Sequence, residues 1–418
     1  MSNKLLTPTQ VLREALRVLH NNLVFVKNVN KQYSSEFAIS GAKVGSTINV
    51  RLPNRYYVAK TTALQAQNTN EATVPVSLTT NYQVGLNFTQ AELTLSLDDF
   101  SKRVLNPAMA RLASQIDQDG LGEAGCVYNQ VGTPGTTPGT EGGTFSSDLL
   151  NYNAPQVYLN AGMMLDNMAA PRDDARRCVV NPAAMAKSVG GLRGLFQDAA
   201  EIAKQYRKGV IGTALGFEFA MDQNVNLLTT GAHGGTPAAS GAGQTGALLA
   251  TSGWTASTGN ILNAGEIITI AGVYGVNPEN QSSTGYLQQF VVTEDCSSDS
   301  GGNVTIPIAP SIVVAGPQVA NGTVTVSPAN GAQVFLMSGA GSTTYPMNIA
   351  YHKDAFTLAT ADLETPKGVD FAARETYDGI SMLIVRAYDI NNAQFPCRID
   401  VLAGWATLRP ELACRITG

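Results

Sequence analysis

Three histidines, His20, His233 and His352, are the only imidazoles in the 418-residue chain. Imidazole is the side chain best suited to moving protons near neutral pH, so acid–base chemistry would begin at one of them. His20 closes an apolar-striped segment, where it complements a helix dipole. His352 stands two residues before Asp354, a spacing open to a base and its orienter. It adjoins a strand-like segment, which favours a structural role. Asp295–Asn303, DCSSDSGGN, has the oxygen-rich look of a calcium loop, but it lacks the alternating acidic register and the closing Glu. It reads as a hairpin turn between two strands. Asp117 and Asp119 are a carboxylate pair on different sides of a helix, and the expectation is a solvated face. The glycines near Gly234–Gly235 and Gly339–Gly341 lack the strand-then-helix context of a phosphate loop.

No H-E-x-x-H, G-x-S-x-G or Walker sequence is present. The expectation is therefore no catalytic residue, no cofactor and no metal. A glycan hydrolase would need two acids, yet no carboxylate pair stands out, and Asp98 and Asp99 are explained as the first turn of a helix. The five cysteines, Cys126, Cys178, Cys296, Cys397 and Cys414, are odd in number and contain no C-x-x-C. They read as reduced thiols, mostly core fillers, in a reducing compartment.

Composition points the same way. Charged residues are 14% of the chain while hydrophobic ones are 44%. So few charges leave much of the surface to be covered by partners. The net charge of −5, without a basic run, argues against gripping nucleic acid by charge. Arg172, Arg176 and Arg177 are interleaved with Asp173 and Asp174. No apolar signal core opens the chain, and no apolar run approaches the length of a membrane span. Synthesis and folding in a cytoplasm are expected.

The elements that would position any site follow from periodicity. Thr7, Pro8 and Gln10 start a helix whose stripe is Val11, Leu12, Ala15, Leu16 and Leu19. It is either an ordinary core helix or an arm that docks on a neighbour. Val44–Leu52 and Tyr82–Phe88 alternate as two strands, and the polar, Thr-rich stretch between them points to a long hairpin-like extension. A two-stranded ribbon is marginal in water, so its apolar face needs a cover. A long helix follows, with Leu105, Ala108, Leu112 and Ile116 on one face and a kink or restart at Pro107. Residues 132–143 are a Gly/Pro/Thr loop. Mixed α/β signals run from about 150 to 225, with a helix from Pro155, a buried strand at Cys178–Val180 and helices at Ala183–Val189 and Ala199–Tyr206.

The sharpest boundary is in charge. Residues 209–352 contain no Lys or Arg and seven acids, a net of −7, whereas the rest has 27 basic and 25 acidic residues, net +2. Short strands at Ile267–Ala271, Gln289–Thr293, Val304–Ile308, Val324–Val326 and Val334–Met337 mark a small all-β domain inserted in a mixed one. Met382–Tyr388 and Cys397–Trp405 are two further strands, with Ile399, Val401, Ala403 and Trp405 on one face.

This order of elements resembles a tailed-bacteriophage major capsid protein of the Hong Kong 97 type. The segments EIAKQYRKGVIGTALGFEFAMDQNV (201–225), NAGEIITIAGV (263–273), QQFVVTED (288–295), NVTIPIAP (303–310) and AYHKDAFTLATADLETP (350–366) are similar to the coat proteins of Salmonella short-tailed phages, which carry an inserted β domain. Residues 229–262 are only loosely like that family. The resemblance implies an α+β capsid fold in five parts: an N-terminal helical arm (1–41), an extended β loop (42–97), a spine helix with the first part of the peripheral and axial α/β domain (98–227), an inserted β-barrel-like domain (228–343), and return strands (344–418). It implies a non-enzymatic subunit that forms hexamers and pentamers of an icosahedral shell enclosing double-stranded DNA. Scaffolding protein and portal are the implied assembly partners, with no membrane and no sequence-specific DNA contact. Arg51, Arg55, Tyr56 and Tyr57, with Glu71 as an acidic partner, are the implied contacts between subunits. A β-rich phage tail, fibre or other virion component is the alternative; the long helix and the mixed α/β middle weigh against it.

Overall fold

A computed structural model of the protein describes residues 8–32, 45–68, 71–88, 101–138, 154–192, 211–316, 319–390 and 394–418. In chain order its elements are helix α1 (Pro8–Asn22), strands β1 (Thr47–Arg51), β2 (Thr73–Ser77) and β3 (Thr80–Phe88), helix α2 (Asn106–Gly122), β4 (Gln130–Val131), helix α3 (Ala154–Asn167), β5 (Arg176–Val180) and helix α4 (Pro182–Leu192). Strands then follow almost without interruption: β6 (Thr213–Ala214), β7 (Phe217–Met221), β8 (Leu227–Thr229), β9 (Gly235–Ala239), β10 (Gly246–Trp254), β11 (Ile267–Val276), β12 (Ser283–Val292), β13 (Val304–Ile312) and β14 (Val334–Leu336). The last six are β15 (Thr344–His352), β16 (Phe356–Ala361), β17 (Phe371–Tyr377), β18 (Ile380–Arg386), β19 (Phe395–Thr407) and β20 (Ala413–Thr417). They form two units, one of residues 1–52, 73–121 and 356–408, the other of 53–72, 122–355 and 409–418.

The first unit is organised on β19. Its antiparallel neighbours are β3 along 395–403, β18 along 397–400 and β16 along 402–407, and β17 extends the sheet beyond β18. Residues 399–404 are all buried, so both faces of β19 are covered, not only the face of Ile399, Val401 and Ala403. Helix α1 packs on β17 and β18, with Leu12, Ala15, Leu16 and Leu19 buried. Its apolar stripe is thus satisfied within its own chain. Thr7 and the helix expected at Ala199–Tyr206 lie outside the described residues, as do Asp98 and Asp99.

The ribbon differs from expectation. β1 pairs with β2, Val50 opposite Val74 and Asn49 opposite Pro75, and not with the alternating stretch at 82–88. That stretch, β3, joins β19 instead, Val84 opposite Ile399. The ribbon covers its apolar face by packing Val50 and Val76 with Ala359, Leu402 and Ala406. β2 lies in the stretch read as a polar connection; its Pro75, without an N–H, is acceptable on an edge strand.

Helix α2 begins where Pro107 demands, since proline is harmless in a first turn, and residues 101–105 before it form a wider π turn. Leu105, Ala108, Leu112 and Ile116 are buried as the periodicity requires. Asp117 corrects the expectation of a solvated face: it is 1% exposed. Its carboxylate accepts the backbone N–H of Val24 at 2.7 Å and of Val26 at 3.0 Å. The turn after α1 is thereby tied to the middle of α2. Asp119, one turn face away, accepts the Tyr82 hydroxyl at 2.8 Å.

The second unit holds a mixed sheet in the order β4-β20-β15-β5-β7-β6, with β8 pairing the first residues of β15. Helix α3 packs on β20 and on α4, burying Val157, Tyr158, Ala161 and Leu165. Between β8 and β15 the chain makes a six-stranded sheet in the order β14-β11-β12-β13-β10-β9. The sheet closes on itself: Ala239 N–H donates to Ala332 and Gly331 N–H to Ala239, both at 2.8 Å. Closure removes open edges. Strands β11 to β14 stand where the sequence places strands. Val324 makes only isolated bridges, to Gly275 and Val314. Strands β9 and β10, in the Gly/Ala/Ser/Thr-rich stretch, were not foreseen because few of their residues are large and apolar.

Candidate assembly surfaces

The chain from Pro53 to Ala72 has neither helix nor strand among the described residues. One side chain organises it. The Gln67 amide donates to the Tyr57 carbonyl at 2.6 Å and accepts the Tyr57 N–H at 3.0 Å, so it replaces a strand partner. Tyr57 is half-buried as a result. Tyr56, Val58 and Leu64 are 56%, 85% and 94% exposed, large apolar groups for a segment this short. Arg55 pairs with Glu411 at 3.0 Å, and Glu411 also accepts from Arg409 at 3.1 Å. Glu71 is exposed at the far end of the segment. Arg51, exposed at the end of β1 and opposite Thr73, belongs to the first unit.

The residues capable of chemistry are each taken up locally. His20 meets Asp378 at 3.2 Å, and Lys31 pairs with the same carboxylate. His233 meets the fully buried Glu266 at 2.5 Å, which also accepts the N–H groups of Gly231 and Asn263 at 2.7 Å. His352 is buried at the end of β15, with its Nε2 on Asp173 at 3.1 Å. Its Nδ1 accepts the Asp354 N–H at 3.3 Å, and the Asp354 carboxylate stands off at 3.7 Å. The base-and-orienter geometry is not made. The DCSSDSGGN segment is a turn between β12 and β13. Asp299 accepts the N–H groups of Asn303 and Gly301 at 2.8 Å, and these bonds, led by Asn303, hold its carboxyl below the usual range. Among the described residues no three acids, histidines or cysteines converge as a metal site.

A cavity of about 860 Å³ opens beside α3, lined by Met163, Asp166, Arg172, Arg176, Arg177 and Phe217. Its arginines are all paired: Asp166 takes Arg172 and Arg176, and Arg177 meets Glu218 at 3.0 Å. Of the polar residues with the largest structural consequences, Asp117 was read from the sequence as solvated, and Glu266 and Arg415 were absent from the candidates. Only Arg415 carried a signal, as a lone charge in the apolar strand ACRIT.

A family model described as P22 coat protein, gene protein 5, matches residues 2–418. No curated protein matches significantly. Among solved structures, that of Mycobacterium phage Che8 is 12% identical, with a TM-score of 0.45 and 94% of this chain and 90% of that chain covered. The capsid of the cyanophage P-SCSP1u is 10% identical, with a TM-score of 0.40 and coverages of 90% and 83%. The CUS-3 coat protein I-domain is 27% identical over 25% of this chain and 96% of that chain, with a TM-score of 0.19.

Proposed function

The chain belongs to the P22 coat protein family and is a major capsid protein of the phage virion, and on that premise we propose how it builds a shell. Copies join as hexamers and pentamers into a closed icosahedral wall around double-stranded DNA. Scaffolding protein and portal take part, and assembly proceeds in the host cytoplasm. The subunit contributes surface and shape, and no catalytic step. The five parts set out from the sequence, arm, extended loop, spine with α/β domain, inserted β domain and return strands, are its working divisions.

The observation that supports this most is the segment 53–72. Its exposed Val58 and Leu64 gain up to roughly 1.5–3 kcal/mol each when fully covered, and Tyr56, already partly covered, gains less. In a closed symmetric assembly every copy both offers and receives such a segment, and modest contacts sum through multivalency. In this reading Tyr56 and Tyr57 seat the segment on a neighbour, Arg51 and Glu71 add polar contacts, and Arg55, held by Glu411, sets the direction in which the segment leaves.

The test is to express the full chain, alone and with a scaffolding protein, and to image the product. Closed shells are the expected result. Persistent monomer under every assembly condition overturns the proposal, and trimeric rods would favour a fibre.

A further inference from the structure

The inserted barrel has a core of its own. Leu249, Ile268, Phe290, Ile306 and Val334 pack together with other residues of the barrel. It meets the α/β part of the same unit across a different kind of surface, made of side-chain amides and one cation aimed at backbone carbonyls. The Arg415 guanidinium is fully buried. One nitrogen donates to Gly265 of the barrel at 2.5 Å and another to Gly125, after α2, at 2.7 Å. Among the described residues its Nε has no partner and no carboxylate pairs with it. Beside it Gln130 and Gln289 bond reciprocally: Gln130 N–H to the Gln289 amide oxygen at 2.6 Å, and the Gln289 amide back to the Gln130 carbonyl at 3.0 Å. The Gln130 amide also donates to Met337 at 2.7 Å, and Asn277 to Asn167 at 2.9 Å.

We propose that Arg415, with the Gln130–Gln289 pair, is a latch that fixes the direction in which the barrel projects from its own subunit. A guanidinium has rigid fork geometry, so holding one carbonyl from each body defines their relative position as well as their contact. Carbonyl acceptors make the seam dependent on backbone placement. The amide–carbonyl bonds contribute little net stability in exchange with water, and the stronger Arg415 bonds are offset by the cost of burying the charge, so the seam opens more readily than either apolar core. The neck reinforces the seating without replacing it: Thr230 N–H donates to Thr343 at 2.9 Å and Ser342 N–H to Gly231 at 2.7 Å.

Hydrogen exchange on the free, full-length subunit tests this without reference to shell formation. Three variants serve: Gln289→Ala, which lies outside the barrel core, and Arg415→Met and Arg415→Lys. The expected result for Gln289→Ala and Arg415→Met is at least tenfold faster exchange at Gln130 and at Ile267, beside Gly265. Protection at Phe290 and Ile306 should stay unchanged. Arg415→Lys, which keeps the charge but not the fork, should leave the seam fast. Unchanged seam exchange in Gln289→Ala and Arg415→Met overturns the latch. So does loss of seam and barrel-core protection together in Gln289→Ala.

Discussion

Gly120 of α2 lies against the indole of Trp405 in β19, so closely that a methyl built on it would stand 2.6 Å from Cη2 and 2.8 Å from Cε2. Helix and sheet approach as they do because position 120 has no side chain. Gly120→Ala gains about 1 kcal/mol of helix propensity but overpacks a rigid ring, at a typical cost of 1–3 kcal/mol. The net expectation is a lower urea midpoint. Adding Trp405→Phe removes the second ring and should recover part of the loss; a double variant no better than the single would show the clash is elsewhere.

Asp117 offers a second measurement. Asp117→Ala strands the buried N–H of Val26 and the half-buried N–H of Val24, and should cost about 2–3 kcal/mol. Asp117→Asn keeps one acceptor and should cost less. Equilibrium unfolding of the full chain orders the three proteins, and an unaffected alanine variant would contradict the buried role.

Acid should loosen the region beside α3. The hydrogen bond from Arg172, with further help from Arg176, holds the Asp166 carboxyl below its ordinary value of 3.8. A depressed carboxyl contributes stability that is present above the unfolded value and is lost as pH falls through the folded one. Unfolding followed between pH 5 and pH 3 should show stability dropping below about pH 3.8. Asp166→Asn should flatten that part of the profile.

The thiols give a fourth test. None of the five cysteines is in a disulfide, and only Cys126 is exposed. Burial pushes the Cys296 thiol up to about 11 and that of Cys397 to about 12, and it raises Cys178 and Cys414 further. A thiol reagent at pH 8 should therefore titrate one group rapidly in the native subunit and all five in urea. A second fast thiol would show that a buried site opens.

Close to Ser77, β2 crosses β19 at Gly404, where any side chain would collide with the Ser77 carbonyl oxygen. Gly404→Ala should displace the ribbon and expose Val50 and Val76. Faster amide exchange in 47–51 and 73–77, with exchange at 380–386 unchanged, is the expected pattern.

The residue order by itself determined what is local. Periodicity specified α1, the apolar face of α2, β3, β18 and β19, and the absence of Lys and Arg over 209–352 marked the stretch that contains the barrel. The capsid role was also legible, through short segments in a characteristic order. Pairing was not: β1 prefers β2, and β3 is claimed by a strand more than 300 residues later. Nor were the burial of Asp117 and the reach of Arg415. Their partners are backbone N–H and C=O groups 91 to 290 residues away. Every residue but proline carries both groups, so no side-chain pattern announces which ones an acid or a guanidinium will find. Only the tertiary structure, by bringing distant backbone to a buried charge, decided that.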